Sequence, residues 1–161
     1  MAKPKKPLHP APDDPAFILD RYPLYALNRA SAVYVEEMSK ALKTIGMDQP
    51  HWRVLTLLED TNPSTVSDIS RRTIIKLSTI TRILLRMEAE GLVRRSPSAG
   101  DSRVTEVYIT DAGRQAVDQV KKVGGRIYRK AIKGLSDDDL TRLMRILKVI
   151  EGNLGRSPYL D

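Results

Sequence analysis

The chain has 161 residues, of which 41% are hydrophobic and 29% charged, a composition that predicts one soluble globular domain of ordinary size. It contains no cysteine, which excludes a disulfide scaffold and a thiol nucleophile, and with two histidines a histidine-rich metal site is improbable. The net charge of +7 favours an anionic partner such as nucleic acid, with an ordinary solvated surface as the alternative explanation.

Membrane and export signals are not expected. No stretch is long and apolar enough to span a bilayer, and the lysines near the N-terminus are not followed by an apolar segment. We therefore expect a cytoplasmic protein. Residues 1–15 are rich in proline and charge and are expected to form a disordered arm, and residues 155–161 a tail.

A long helix is predicted after the arm. Pro23 suits its first turn, apolar residues then recur at steps of three or four, and Gly46 ends it. Such a helix is longer than the globular average and is typical of bridging or dimerisation, so residues 16–46 are assigned to dimerisation. Asp48 is expected to cap the next helix.

Two further helices with a turn between them are predicted next. Thr65 and Asp68 have the spacing of a capping box, and residues 71–74 are expected to break this short helix as a turn. The second helix runs over about residues 77–90, with its apolar residues on one face, and Gly91 suits a left-handed C-terminal cap.

A β-hairpin is predicted after the second helix. Residues 92–95 and 104–109 are expected to be strands, and the turn-forming residues 97–100 lie between them. The hairpin tip holds Asp101, Ser102 and Arg103. Helix, turn, helix and a hairpin with a basic tip together predict a winged helix-turn-helix over residues 48–109.

The final helices are predicted within residues 111–154. Thr110 is expected to cap the first of them, and Gly113 to allow a close backbone approach. Because each glycine costs a helix roughly 1 kcal/mol against alanine, Gly124-Gly125 predicts either a tight helix crossing or a kink. The apolar faces of the flanking helices exceed what one small winged helix can cover, so a homodimer is predicted.

Three stretches carry a family resemblance. They are Gly91-Leu92-Val93-Arg94-Arg95, Asp101-x-Arg103 and Ile109-Thr110-x-x-Gly113. In this order and spacing they resemble the signature of the MarR (multiple antibiotic resistance regulator) family, over about residues 22–154. The resemblance implies a mainly α protein with a small β-hairpin, in which N- and C-terminal helices dimerise a winged helix-turn-helix. It also implies a homodimeric repressor or activator that binds a pseudo-palindromic operator.

One position departs from the family pattern. Lys76 stands where the family more often has a capping serine or aspartate. Ser78 could take over the capping if the helix started two residues later.

Polar and basic side chains on the second helix of the pair are suited to phosphates and base edges. By position in the family, this helix lies in the major groove and Arg103 reaches into the adjacent minor groove, whose negative potential favours arginine. The predicted DNA contacts are Thr65, Ser67, Lys76, Ser78, Thr79, Thr81, Arg82, Arg86, Arg94, Ser102 and Arg103. For the serines and threonines, ordinary helix surface is the alternative.

Three charged residues of the hairpin have further expectations. Asp101 is expected to pair with an arginine and stabilise the wing. Arg94 and Arg95 alternate in direction along a strand, so one is expected to face DNA and the other solvent.

Members of the family commonly bind small molecules, often aromatic or other organic acids, between the dimer helices and the winged helix. By analogy, Asn28, Arg29, His51 and Trp52 are predicted to line such an effector site. A core position is the alternative for Trp52, and a helix-terminus or solvent role is the alternative for His51. No metal or other cofactor is expected.

A different functional class is a helical dimer that acts through protein partners, as an antirepressor would. The basic helix and wing favour DNA over this alternative. An enzyme is not expected, because the chain has no Gly-x-Ser-x-Gly motif, no phosphate-binding loop and no Cys/His pair.

Overall fold

A computed structural model describes residues 8–155, and predictions about residues 1–7 and 156–161 lie outside this range. The described chain is mainly helical with one small sheet, as predicted. Its elements are a 3-10 helix (Leu19–Arg21), α1 (Pro23–Lys43), α2 (Gln49–Asp60), β1 (Ser64–Thr65), α3 (Val66–Thr73), α4 (Leu77–Ala89), β2 (Val93–Pro97), β3 (Thr105–Ile109), α5 (Asp111–Ala131) and α6 (Asp137–Leu154). Two compact units are distinguished, one ending at Ile127 and the other beginning at Tyr128, within α5.

The described part of the expected disordered arm, residues 8–15, contains turns and tertiary contacts. The amide of Asp14 donates to the carbonyl of Ala11 at 3.0 Å. Pro10 is buried, and Nδ1 of His9 lies 2.9 Å from the carbonyl oxygen of Arg21. Composition did not reveal this order, because the partner of His9 lies in the later 3-10 helix.

Local capping signals set most helix ends. Asp48, Thr65 and Thr110 each accept a hydrogen bond from the amide three residues later, at 3.0–3.1 Å. Gly91 follows α4 with a φ of +74°, in the left-handed region where glycine has no Cβ penalty. These boundaries agree with the sequence-based expectation.

Two helix boundaries correct that expectation. α3 continues through Thr73, so residues 71–73 are helical, and Ile74 alone leaves the helix in a left-handed conformation (φ 57°, ψ 39°). α4 begins at Leu77, directly after Lys76, whose side chain makes no capping hydrogen bond. The alternative in which Ser78 caps a helix that starts two residues later is therefore wrong. The first-turn amides of α4 consequently have no side-chain acceptor from Lys76.

The antiparallel sheet has the order β1-β3-β2. β2 extends to Pro97, two residues beyond the prediction, and the two-residue β1 was too short to be predicted from alternation. Arg94 pairs with Tyr108 and Arg95 with the fully buried Val107, so the two arginines lie on opposite faces of the sheet.

The first unit has two apolar clusters. The larger one joins α2, α3, α4, the sheet and the start of α5; its fully buried members include Val54, Leu55, Leu58, Ile69, Ile80, Leu84, Met87, Val107 and Val117. The smaller one joins α1 and α5. A Cβ on Gly124 would lie 3.3 Å from Cε of Met38, so this side chain of α1 packs closely on the glycine, and α5 is helical on both sides of it.

The second unit contains α6, which starts with a reciprocal capping box between Ser136 and Asp139. None of its residues is buried, and its exposed large apolar side chains are Leu143, Met144, Ile146, Val149 and Leu154. Within residues 8–155, no helix combines the length and apolarity needed to cross a membrane.

Candidate nucleic-acid interface

A groove of about 270 Å³ lies between the N-termini of α3 and α4 and the hairpin, which we call the wing groove. Four predicted DNA contacts line it: Thr65 of β1, Ser67 of α3, Thr81 of α4 and Arg103 of the hairpin loop. Leu77 lines it too and was not predicted as a contact. Sequence periodicity could not have identified Leu77, because its i, i+3 and i+7 spacing with Ile80 and Leu84 assigns it to the apolar face of α4, whereas at the first residue of the helix it is exposed.

Two of the hydroxyl groups in the wing groove are already bonded within the protein. The Thr65 hydroxyl donates to the Asp68 carboxylate at 3.0 Å and accepts from its amide, as the cap of α3. The Thr81 hydroxyl donates to the carbonyl of Leu77 at 2.9 Å. By contrast, Ser67 is exposed and has no such bond in the described chain.

The solvent face of α4 carries polar and cationic side chains near its N-terminus. Lys76, Ser78 and Arg82 are exposed, and Thr79 is half-buried. Within residues 8–155, neither Lys76 nor Arg82 has an ion-pair partner. The positive end of the helix dipole and amides without a side-chain acceptor add to these cations, so this end of α4 is suited to bind an anion.

The wing tip holds Arg103 on the Asp101 carboxylate. The amide, Nε and Nη2 of Arg103 donate to the two carboxylate oxygens at 3.0, 3.1 and 3.3 Å. These hydrogen bonds hold the pKa of Asp101 below its usual value. The Arg103 side chain is still 89% exposed, so Asp101 orients the guanidinium without covering it. Ser102 beside it is exposed.

Arg86, predicted as a DNA contact, is bound to the N-terminus of α2, and its side chain is 51% exposed. Its Nη2 lies 2.6 Å from Oδ2 of Asp48, and its Nε lies 3.8 Å from Oε1 of Glu90. His51 completes this cluster, 5% exposed, with Nδ1 2.6 Å from Asp48 and Nε2 2.8 Å from Glu90. Partial burial raises the pKa of Asp48, but hydrogen bonds from His51 and Arg86 outweigh it and lower that pKa. The cluster ties α2 to the C-terminal end of α4.

Arg95 lines the wing groove, but its side chain is only 24% exposed because it is bound to a carboxylate of α4. Its amide and Nε each donate to the carboxylate of Glu88 at 2.8 Å, and these bonds lower the pKa of Glu88. They attach β2 to α4. On the outer face of the sheet, the guanidinium carbon of exposed Arg94 lies 4.3 Å from the centroid of the Tyr108 ring, a cation–π contact.

The four predicted effector residues are not brought together. Asn28 and Arg29 are exposed on α1, and Arg29 stacks 5.7 Å from the Tyr25 ring centroid. Both ring nitrogens of His51 are engaged by carboxylates. Trp52 lines a separate cavity of about 590 Å³ between α2 and the end of α3, with Arg53. Within residues 8–155, no cluster of three histidine or carboxylate side chains is arranged to hold a metal ion.

Comparisons with known proteins agree with this geometry. Residues 47–105 match the model of the MarR family. The HTH-type transcriptional repressor IacR of Pseudomonas putida is 40% identical over 146 residues, covering 91% of this chain and 87% of that protein.

Solved structures share the fold. A MarR-family regulator from Silicibacter pomeroyi superimposes with a TM-score of 0.77 at 23% identity, covering 88% of this chain and 95% of the other. A MarR variant from E. coli, complexed with operator DNA, gives a TM-score of 0.72 at 23% identity over 80% of this chain and 93% of its own. With the basic helix and wing described above, these matches show that the chain belongs to the MarR family of winged helix-turn-helix DNA-binding transcription regulators.

Proposed function

We propose that the protein is a homodimeric, ligand-responsive repressor that binds a pseudo-palindromic operator. In this proposal α4 enters the major groove, and Arg103 reaches into the adjacent minor groove. The observation that carries it is the placement of cations without a covering partner, Lys76 and Arg82 on α4 and the exposed Arg103, beside the wing groove. Ser67, Ser78, Thr79 and Ser102 would add hydrogen bonds to phosphates.

Dimerisation is supported by α6. An amphipathic helix with no buried residue leaves its apolar side chains in water, which a second subunit would cover. A twofold dimer would place two copies of α4 about 34–36 Å apart, one turn of the DNA helix. Residues 16–46 and 111–154 are the segments proposed to form this interface.

Ligand response is supported by the Trp52 cavity rather than by the whole predicted set of effector residues. An indole wall, the Arg53 cation and a volume of about 590 Å³ would accommodate an aromatic or other organic acid. Trp52 is the single tryptophan of the chain, so its fluorescence would report binding directly. An acid that shifts this fluorescence and also releases DNA would support the site; release without any shift would contradict it.

The test of DNA binding compares two arginines of the same helix. A duplex is first selected from a random-sequence library, and its affinity is measured over a range of salt concentrations by fluorescence anisotropy. Arg82→Ala should weaken binding and reduce the slope of log affinity against log salt by about 2 for the homodimer, because each subunit loses one phosphate contact. Arg86→Ala removes the same charge from α4, but its guanidinium is held by Asp48, so the slope should stay unchanged.

Two results would contradict the proposal. If the library yields no duplex that the protein prefers over scrambled DNA at any salt concentration, a role through protein partners replaces it. If Arg82→Ala and Arg86→Ala reduce the slope equally, the assignment of DNA contacts from ion pairing is wrong.

A further inference from the structure

An apolar side chain occupies the surface where polar contacts with DNA were expected. Leu77 is the first residue of α4 and is 52% exposed, although leucine is ordinarily among the buried residues. It lines the wing groove together with Ser67, a predicted phosphate contact, and Arg103, the arginine predicted to reach the minor groove.

Its neighbour on the helix adds little hydrogen-bonding capacity. The Thr81 hydroxyl, one turn further along, is bonded to the carbonyl of Leu77 itself. The Thr81 hydroxyl proton is therefore already used within the helix and is not available to a phosphate oxygen. The wing groove around Leu77 and Thr81 is lined by the apolar Val66 and Val104 and by polar and cationic side chains that include Ser67, Arg95 and Arg103.

We propose that Leu77 is a specificity-determining residue that packs against the C5-methyl group of a thymine in each operator half-site. This inference rests on the proposed DNA-binding mode, in which the N-terminal residues of the recognition helix meet base edges. Leucine can neither donate nor accept a hydrogen bond, so it gains nothing from phosphates or from most base edges. The thymine methyl is the one large apolar group that the edges of unmodified base pairs present in the major groove.

The test removes that methyl group and nothing else. In the selected duplex, each thymine is replaced in turn, symmetrically in both half-sites, by uracil, which lacks only the methyl. Burial of one methyl-sized group corresponds to about a fourfold change in affinity, so at one position the wild-type protein should bind about fourfold more weakly per half-site. The Leu77→Ala variant should bind the thymine and uracil duplexes equally at that position.

A matched control is available on the same helix. Leu85 is 48% exposed but does not line the wing groove, so Leu85→Ala should keep the full sensitivity to uracil. Circular dichroism melting checks that both variants fold. The uracil series on the wild-type protein tests the inference even if a variant fails to fold.

Each outcome is decisive. A wild-type protein that is insensitive to uracil at every thymine, or a Leu77→Ala variant that keeps the sensitivity, overturns the inference while leaving DNA binding in place. If the wild-type protein selects no duplex at all, the proposed function fails and the inference fails with it.

Discussion

Gly113 provides the sharpest test of how the wing is attached to α5. A Cβ built on this residue would come closer than 3.0 Å to the carbonyl oxygen of Leu92 and would lie 2.8 Å from Cγ1 of Ile109. The Leu92 carbonyl is held in place, because it accepts a hydrogen bond from the Thr110 amide at 3.1 Å and shares the Thr110 hydroxyl, 3.0 Å away, with the carbonyl of Gly91 at 2.7 Å. A side chain at position 113 therefore meets fixed backbone.

We expect Gly113→Ala to lower the free energy of unfolding by about 3 kcal/mol. Overpacking of a close contact costs about 1–3 kcal/mol. Displacing the Leu92 carbonyl would also weaken two hydrogen bonds, each with a net contribution of about 1 kcal/mol. The better helix propensity of alanine offsets at most about 1 kcal/mol of this loss.

The assay is urea unfolding followed by far-ultraviolet circular dichroism, at one fixed protein concentration because a dimer's stability depends on it. Gly100→Ala in the wing is the matched control: a Cβ there meets nothing within 4 Å, so its effect should stay within about 0.5 kcal/mol. A Gly113→Ala variant as stable as the Gly100→Ala variant would refute the argument, since it would mean that the Leu92 carbonyl yields freely.

Two further predictions concern a strained residue and an ion pair. Ile74→Gly should raise the free energy of unfolding by about 1 kcal/mol, because a β-branched residue at φ 57° is strained and its 86% exposed side chain contributes little packing. Ile74→Ala keeps a Cβ and should therefore be stabilised clearly less in the same urea titration. Glu88→Gln should destabilise the protein at neutral pH by up to about 1 kcal/mol. Arg95 lowers the folded-state pKa of Glu88, so the stabilisation by this ion pair is present above the ordinary pKa of 4.5 and is lost as the pH falls through the folded-state pKa. The unfolding free energies of the wild type and Glu88→Gln should therefore converge in acid. A difference that stays constant with pH would contradict the assignment.

Helix positions were predictable where the deciding interaction is local. Asp48, Thr65 and Thr110 cap through amides three residues away, and Gly91 ends α4 through its own backbone conformation. The end of α3 has no such signal. A β-branched isoleucine stands where a glycine would ordinarily mark the left-handed residue, so the sequence placed the turn several residues too early.

The third strand and the wing attachment were not predictable for a different reason. β1 has two residues and is defined by its pairing with β3 about forty residues later, so no periodicity within β1 reveals it. Similarly, the direction of Arg95 was predicted from strand alternation. Alternation gives the face of the sheet on which the side chain lies, but it does not reveal that the carboxylate of Glu88 binds it there.

The same limit explains why the count of basic residues overstates the charge available to DNA. Arg86 and Asp48 are 38 residues apart in sequence. Asp48 caps the N-terminus of α2, and Arg86 lies in the last turn of α4, so sequence spacing could not reveal this ion pair. A carboxylate beside a guanidinium offsets part of its charge, as Asp48 does for Arg86, whereas Lys76 and Arg82 have no ion-pair partner in residues 8–155. The salt dependence of operator binding should therefore follow the number of uncovered cations beside the wing groove rather than the net charge of the chain.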